Sequence, residues 1–200
     1  MGVALSGYII LVKLFPYLLE RWGVQIDPTF GAYPWNFSPV MAICLFGGSR
    51  FLRPWTAWLA SLGGMLVADL AIFALKGPDF ALSAISIAVY LSFALGLVIA
   101  HGLRKTGRSW PLFRGGLLAE TVFFLITNFL VWITYHNQPP MHYAFDAGGL
   151  MRCYLNALPY FGRSLLGTLF YGSFLFGSWA LISRIAESRA SAPPWVTRDA

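Results

Sequence analysis

The chain has 200 residues, of which 58% are hydrophobic and only 11% are charged, whereas about 25% of the residues in soluble domains carry a charge. A soluble protein with so few charges could not cover its surface. The composition therefore excludes a soluble enzyme, as well as a disordered, collagen-like or disulfide-rich chain. The mean hydropathy of +0.65 indicates a polytopic helical protein in the lipid bilayer. A net charge of +6 is typical of cytoplasmic-loop Lys and Arg, and we predict no nucleic-acid partner.

Six apolar runs predict an all-α fold, a six-helix transmembrane bundle, because a membrane helix needs about 20 residues. The predicted spans are about 3–19, 37–51, 55–75, 81–100, 115–135 and 164–182. A short interfacial helix is predicted at about 150–158, where Pro159 is expected to end it. These elements form a single transmembrane domain, 1–185, and the composition of 186–200 predicts a disordered cytoplasmic tail.

The distribution of basic residues predicts the orientation of the bundle. With the N-terminus inside, nine basic residues fall on the inner side: Arg50, Arg53, Arg104, Lys105, Arg108, Arg114, Arg184, Arg189 and Arg198. Four fall on the outer side: Arg21, Lys76, Arg152 and Arg163. Because Lys and Arg are enriched in cytoplasmic loops, both termini are expected in the cytoplasm.

A stripe of small residues recurs at four-residue spacing on the fourth span. Its members are Ala84, Ala88, Ser92, Gly96 and Ala100. Small residues at this spacing allow another helix backbone to approach closely. Two interpretations stay open: close packing within one bundle, or a docking face for a partner subunit.

Polar residues near the outer ends of the spans predict a ligand pocket. At 1.5 Å per residue, Asp69 lies about 21 Å and Asn128 about 20 Å from the inner starts of their spans. Both therefore reach the outer third of a hydrocarbon core about 30 Å thick. Other candidate pocket residues near this level are Trp35, Asn36, Trp132, Arg152, Asn156 and Arg163. Such a mixture of polar and aromatic groups is typical of small-molecule sites. Alternatively, Asp69 pairs with Arg163 or Arg152 and only fastens helices together.

Two further ionisable residues lie within the spans. Glu120 is expected about 8 Å from the inner surface at the helical rise per residue, where it pairs with Arg114 or a neighbouring basic residue, or serves in a proton relay or a partner contact. Lys13 is expected to extend toward an interface in a structural role. His136 and His142 share an outer loop with Asp146, but their spacing matches no familiar ligand pattern. We therefore predict no metal site, cofactor or catalytic residue.

The segment PWNFSPVMAICLFGG at 34–48 resembles the NFSPVxAxxLFGG signature of an uncharacterised bacterial membrane-protein family. The stretches at 68–70, 123–132 and 149–161 are also similar to that family, and the resemblance covers roughly 1–182. The family is distantly similar to the substrate-binding S components of energy-coupling-factor (ECF) vitamin transporters. S components commonly carry an Ala-x-x-x-Ala docking motif on span one, where this chain offers Gly2 and Ser6, or Ala4 facing Tyr8.

The resemblance implies a six-helix bundle in the bacterial cytoplasmic (inner) membrane, with a vitamin-sized pocket near the outer surface. It also implies docking on a membrane T subunit that is coupled to two ATPase subunits. Three functions are therefore considered. A substrate-binding component for uptake of a small molecule needs an outward-facing pocket. A membrane scaffold or assembly protein needs no cavity and an exposed small-residue stripe. An intramembrane lipid-modifying enzyme needs Asp69 close to His136 and His142.

Overall fold

The computed structural model describes residues 1–24, 37–77, 84–104, 109–137 and 142–190. Its named elements are helices: α1 (Gly2–Arg21), α2 (Val40–Arg50), α3 (Pro54–Trp58), a π-helical turn (Leu59–Gly63), α4 (Gly64–Lys76), α5 (Ala84–Gly102), α6 (Ser109–Thr134) and α7 (Ala147–Ala190). The predicted all-α class is confirmed.

Five of these helical segments are long and apolar enough to cross a membrane. They are Gly2–Arg21, Pro54–Lys76, Ile85–Gly102, Phe113–Thr134 and Ala147–Ser188. The second of them combines α3, the π-helical turn and α4 into one continuous span. Many of their large apolar side chains are exposed, which suits a surface that faces lipid tails rather than water.

Helix α2 is short and central. It has 11 residues, so it is about 16 Å long at 1.5 Å per residue, roughly half the hydrocarbon thickness. Every residue from Val40 to Ser49 is buried, and α2 contacts α1, α3, the π-helical turn, α5, α6 and α7. The hydrophobic core of the protein is built around this helix.

The two ends of the bundle can be told apart by their contacts. At the end where α1 begins, which we call the N-terminal end, Gly2 lies near Phe51 and Ala60, and Gly48 near the end of α5 at Ala100. At the opposite end, Lys76 at the end of α4 forms an ion pair with Glu20 at the end of α1, at 2.7 Å. Helix α2 therefore begins inside the bundle and runs toward the N-terminal end.

The small-residue stripe is part of this packing. Ala88, Ser92, Gly96 and Ala100 are all buried, whereas the side chain of Ala84 lies outside the described residues. A Cβ atom at Gly96 would lie 2.8 Å from the Sδ of Met41 on α2. The stripe therefore serves close packing within the chain. Its Gly96 and Ala100 face α2, which favours the interpretation of close packing within one bundle, and the partner-docking face stays a prediction.

A second close approach joins α1 to the π-helical turn and α4. The hydroxyl of Ser6 donates a hydrogen bond to the Ala60 carbonyl at 2.9 Å. A Cβ atom at Gly64 would lie only 3.1 Å from the Cα of Ser6. Gly2 and Ser6, the small pair on the first span, are thus used within the chain.

The structure corrects the boundary predicted at Pro159. Helix α7 continues through this residue for 44 residues in all, so the expected interfacial helix at 150–158 is the first part of the last span. A proline removes one backbone donor, a loss that packing against neighbouring helices can offset in a membrane protein. Here the Tyr154 hydroxyl donates to the Leu125 carbonyl at 2.9 Å, and Phe161 packs on Phe124. The helix extends to Ala190, into the predicted tail, and 191–200 lie outside the described residues.

We expect Gly48→Ala to lower the free energy of unfolding by about 1–3 kcal/mol, the usual cost of overpacking. The added Cβ would lie 2.8 Å from the Cβ of Ala100 and 2.9 Å from the Leu97 carbonyl oxygen, so helix α2 or α5 must move. Gly172→Ala is the matched control, because nothing lies within 4 Å of its Cβ position. The measurement is thermal unfolding of both variants in detergent micelles. Equal unfolding midpoints for the two variants would contradict the close approach of α2 and α5.

Candidate functional site

A cavity of about 510 Å³ lies in the half of the bundle away from the N-terminal end. We call it the bundle cavity. Ser38 and Val40, at the start of α2, line it, together with residues from α1, α4, α5, α6 and α7. Helix α2 is too short to fill the whole axis of the bundle. The five long helices therefore surround an open space next to the start of α2, on the side away from the N-terminal end. The side chains of the residues that the structure describes do not fill this space.

One wall of the bundle cavity carries a hydrogen-bonded ion pair. Lys13 Nζ on α1 lies 2.5 Å from Asp69 Oδ1 on α4. The hydroxyl of Tyr90 on α5 donates to the other carboxylate oxygen of Asp69 at 2.6 Å. The Lys13 and Asp69 side chains are 25% and 16% exposed. Asp69 therefore connects three helices while its neighbours face the cavity.

The deeper part of the bundle cavity holds a second carboxylate. Glu120 on α6 is 1% exposed. One of its oxygens accepts a hydrogen bond from Ser164 on α7 at 2.7 Å, and the other accepts one from Thr168. The structure thus gives Glu120 two hydroxyl partners on α7, where the sequence suggested Arg114. Glu120 and Ser164 also line the cavity.

Helices α6 and α1 also present hydrogen-bond acceptors. Asn128 lines the cavity on α6, and its amide nitrogen donates to the Phe124 carbonyl at 2.8 Å, which leaves its amide oxygen as an acceptor. On α1, Pro16 and Val12 both line the cavity. Since proline has no N–H, Pro16 cannot satisfy the Val12 carbonyl as an ordinary helical residue would.

Aromatic rings make up much of the remaining wall. They come from α1, α5, α6 and α7 and include Tyr17, Phe93, Phe123, Phe124, Tyr160 and Phe161. Among these, Phe93 packs on Phe123 at 5.2 Å between ring centroids, and Phe124 on Phe161 at 4.9 Å. A largely apolar wall with a few placed polar groups is the usual character of a small-molecule site.

The predicted pocket residues divide into three groups. Asp69 and Asn128 line the same cavity, in keeping with their equal predicted depth. Trp132, Arg152, Asn156 and Arg163 do not line it. Trp35 and Asn36 lie outside the described residues.

The four residues that do not line the cavity make other contacts or are exposed. The Trp132 indole donates to the Ala144 carbonyl at 2.9 Å and stacks on Phe145. Asn156 contacts the Tyr143 hydroxyl at 3.5 Å. Arg152 and Arg163 are exposed on α7. The alternative that Asp69 pairs with Arg163 or Arg152 is wrong, because Lys13 takes that position.

The histidines do not join Asp69. His136 contacts the Ile133 carbonyl through Nδ1 at 2.5 Å, and His142 is exposed. Neither lines the bundle cavity. Within the described ranges, no group of three or more His, Cys, Asp or Glu side chains is placed to hold a metal ion.

Sequence reasoning missed the roles of Lys13, Tyr90 and Ser164. Lys13 interrupts the first apolar run and lies about three turns from its start, which was a usable signal for a buried partner of Asp69. No comparable signal marks Tyr90 or Ser164, because their roles depend on how α5 and α7 are rotated in the bundle.

A family of unknown function, DUF6580, has a model that matches residues 2–191. The chain therefore belongs to this family. No curated protein and no solved structure matches the chain significantly.

The Lys13–Asp69 pair should contribute more to stability than the other pair between α1 and α4. In a double-mutant cycle with Lys13→Gln and Asp69→Asn, we expect a coupling energy of about 2 kcal/mol, because the pair is largely shielded from water. The matched cycle with Glu20→Gln and Lys76→Gln should give less than about 1 kcal/mol, since Glu20 is 59% exposed. Equal coupling energies from unfolding in detergent would contradict this ranking.

Proposed function

We propose that this protein binds a small water-soluble molecule in the bundle cavity and serves as the substrate-binding component of an uptake system. The observation that carries the proposal is the cavity itself, about 510 Å³, within the range of about 300–1,000 Å³ that ligand pockets occupy. It lies inside a bundle whose helices are apolar enough to cross a membrane.

The cost of burying charge supports the proposal. An ionisable group within a membrane-spanning helix is expensive unless it is paired or faces water, and such groups commonly mark substrate pathways. Lys13, Asp69 and Glu120 all lie within apolar helices and all line the same cavity. Fastening the helices together would need only the ion pair, so the grouping of all three around an open space favours binding.

The two alternative functions have less support. A scaffold was expected to lack a cavity and to expose the stripe from Ala84 to Ala100, yet its described side chains are buried against α2. A lipid-modifying enzyme needed His136 and His142 beside Asp69, and neither lines the cavity.

In the proposed orientation both termini are cytoplasmic, so the bundle cavity lies in the outer half of the membrane. The ligand would then enter from outside. The resemblance to S components supports release that is driven by a T subunit with two ATPase subunits. The membrane would be the bacterial cytoplasmic (inner) membrane.

Filling the cavity should abolish binding. Ala157 lines the cavity and is 8% exposed, so Ala157→Phe places a ring in the ligand's space. Leu158→Phe is the control, because Leu158 on the same helix is 49% exposed and does not line the cavity. The purified protein is incubated with a defined mixture of vitamins, amino acids, nucleosides, amines and carboxylic acids. Retained molecules are identified by mass spectrometry after gel filtration.

We expect the wild type and Leu158→Phe to retain the same molecule and Ala157→Phe to lose it. Retention of nothing by the wild type, or equal retention by both variants, would overturn the proposal.

Cysteine labelling tests the orientation. Ala147 at the start of α7 and Ala186 near its end are both exposed, whereas the native Cys44 and Cys153 are buried and give little background. In spheroplasts, a membrane-impermeant maleimide should label Ala147→Cys and should leave Ala186→Cys unlabelled until the cells are lysed. The reverse pattern would place the cavity on the cytoplasmic side.

A further inference from the structure

One basic and two acidic side chains line the bundle cavity in the described part of the chain: Lys13, Asp69 and Glu120. Among the described residues that line it, Lys13 is the single cation, and it is paired with Asp69. The carboxylate of Glu120 has hydrogen bonds from Ser164 and Thr168, but hydroxyl groups carry no charge. A carboxylate this deeply buried is costly to keep ionised without a positive partner. Such a group either takes up a proton or acquires a positive partner, and a ligand in the cavity can supply that partner close to Glu120.

The neutral polar groups of the cavity favour the same kind of ligand. The amide oxygen of Asn128 is an acceptor, as are the carboxyl oxygens of Glu120. A ligand rich in N–H donors can satisfy such groups, and a protonated amine supplies up to three donors from one atom.

The aromatic side chains in the cavity wall are a third reason to expect a cationic ligand. The face of an aromatic ring carries partial negative charge and attracts ammonium groups that lie within about 6 Å of its centroid. Phe123 and Phe124 lie on α6 within one turn of Glu120, and Phe161 lies one turn before Ser164 on α7; all three line the cavity. A cation near Glu120 would therefore have aromatic side chains around it.

We propose that the ligand of the bundle cavity is an organic cation, a protonated or quaternary amine on an aromatic or apolar body, and that Glu120 is its counter-ion. This inference rests on the proposed function. An anionic ligand would meet the charge of Glu120 and would find Lys13 already held by Asp69. One feature would favour an anion instead: the positive end of the α2 helix dipole, at Ser38 and Val40. The experiment below distinguishes a cationic from an anionic ligand.

The test uses full-length protein in detergent and a probe mixture with equal numbers of amines, neutral alcohols or amides, and carboxylates of matched size. We expect the wild type to retain amines in preference to the other two classes. Glu120→Gln keeps the shape of the side chain while removing the charge; its amide oxygen can still accept from one hydroxyl, and its amide nitrogen can donate to the other. It should weaken amine retention by about tenfold or more, as when one member of a buried charge pair is lost.

Glu20→Gln is the matched control, because it removes the same charge from an exposed site outside the cavity, and its retention should equal that of the wild type. Preference of the wild type for neutral or anionic probes, or undiminished amine retention by Glu120→Gln, would overturn the inference. If Ala157→Phe abolished that retention, the proposed function would stand. Retention of no probe by the wild type would refute both. The charge class retained by the wild type decides the matter even if Glu120→Gln does not fold.

Discussion

The length of helix α2 is the constraint on which the rest of the structure depends. Its 11 residues reach about halfway across a bilayer core, and they are buried on every side by the other helices. Glycines and alanines at Gly48, Gly96 and Ala100 let α2 and α5 approach closely. One half of the bundle axis is therefore filled with tightly packed side chains, and the other half is left to the bundle cavity.

This division separates apolar from polar side chains. The half that α2 fills contains the hydrophobic core together with the small buried side chains of Ser49, Ser61 and Ser92. In contrast, Lys13, Asp69, Glu120 and Asn128 line the cavity in the half that α2 leaves open. The grouping follows from the cost of placing charge against lipid. Two carboxylates nevertheless differ in their surroundings: Asp69 has a cationic partner, and Glu120 has hydroxyl partners. The cavity therefore has an ion pair on one wall and, deeper inside, a carboxyl group that is bonded only to hydroxyl groups.

Part of the site was predictable because a helix rises by a constant 1.5 Å per residue. Counting residues placed Asp69 and Asn128 at one level, and both line the cavity. Depth alone was misleading for Trp132, which lies one turn from Asn128 but is bonded to Ala144. It was equally misleading for Arg163, which is exposed on α7. The missing information was the rotation of each helix about its axis, since an apolar sequence exposed to lipid carries little contrast between its faces.

The sequence by itself determined the apolar, helical class and the approximate positions of five long apolar helices, whereas the run at 37–51, predicted as a full span, forms only the 11-residue helix α2. These depend on composition and on the length of apolar runs, because the thickness of the bilayer sets the length that a spanning helix needs. Only the tertiary structure decided which polar groups meet. In the structure, Lys13 pairs with Asp69, and Glu120 accepts hydrogen bonds from Ser164 and Thr168. The small residues Ala88, Ser92, Gly96 and Ala100 are buried in the bundle. Helix α7 continues through Pro159. Each of these outcomes depends on contacts between helices distant in sequence, which the sequence patterns indicate only in part.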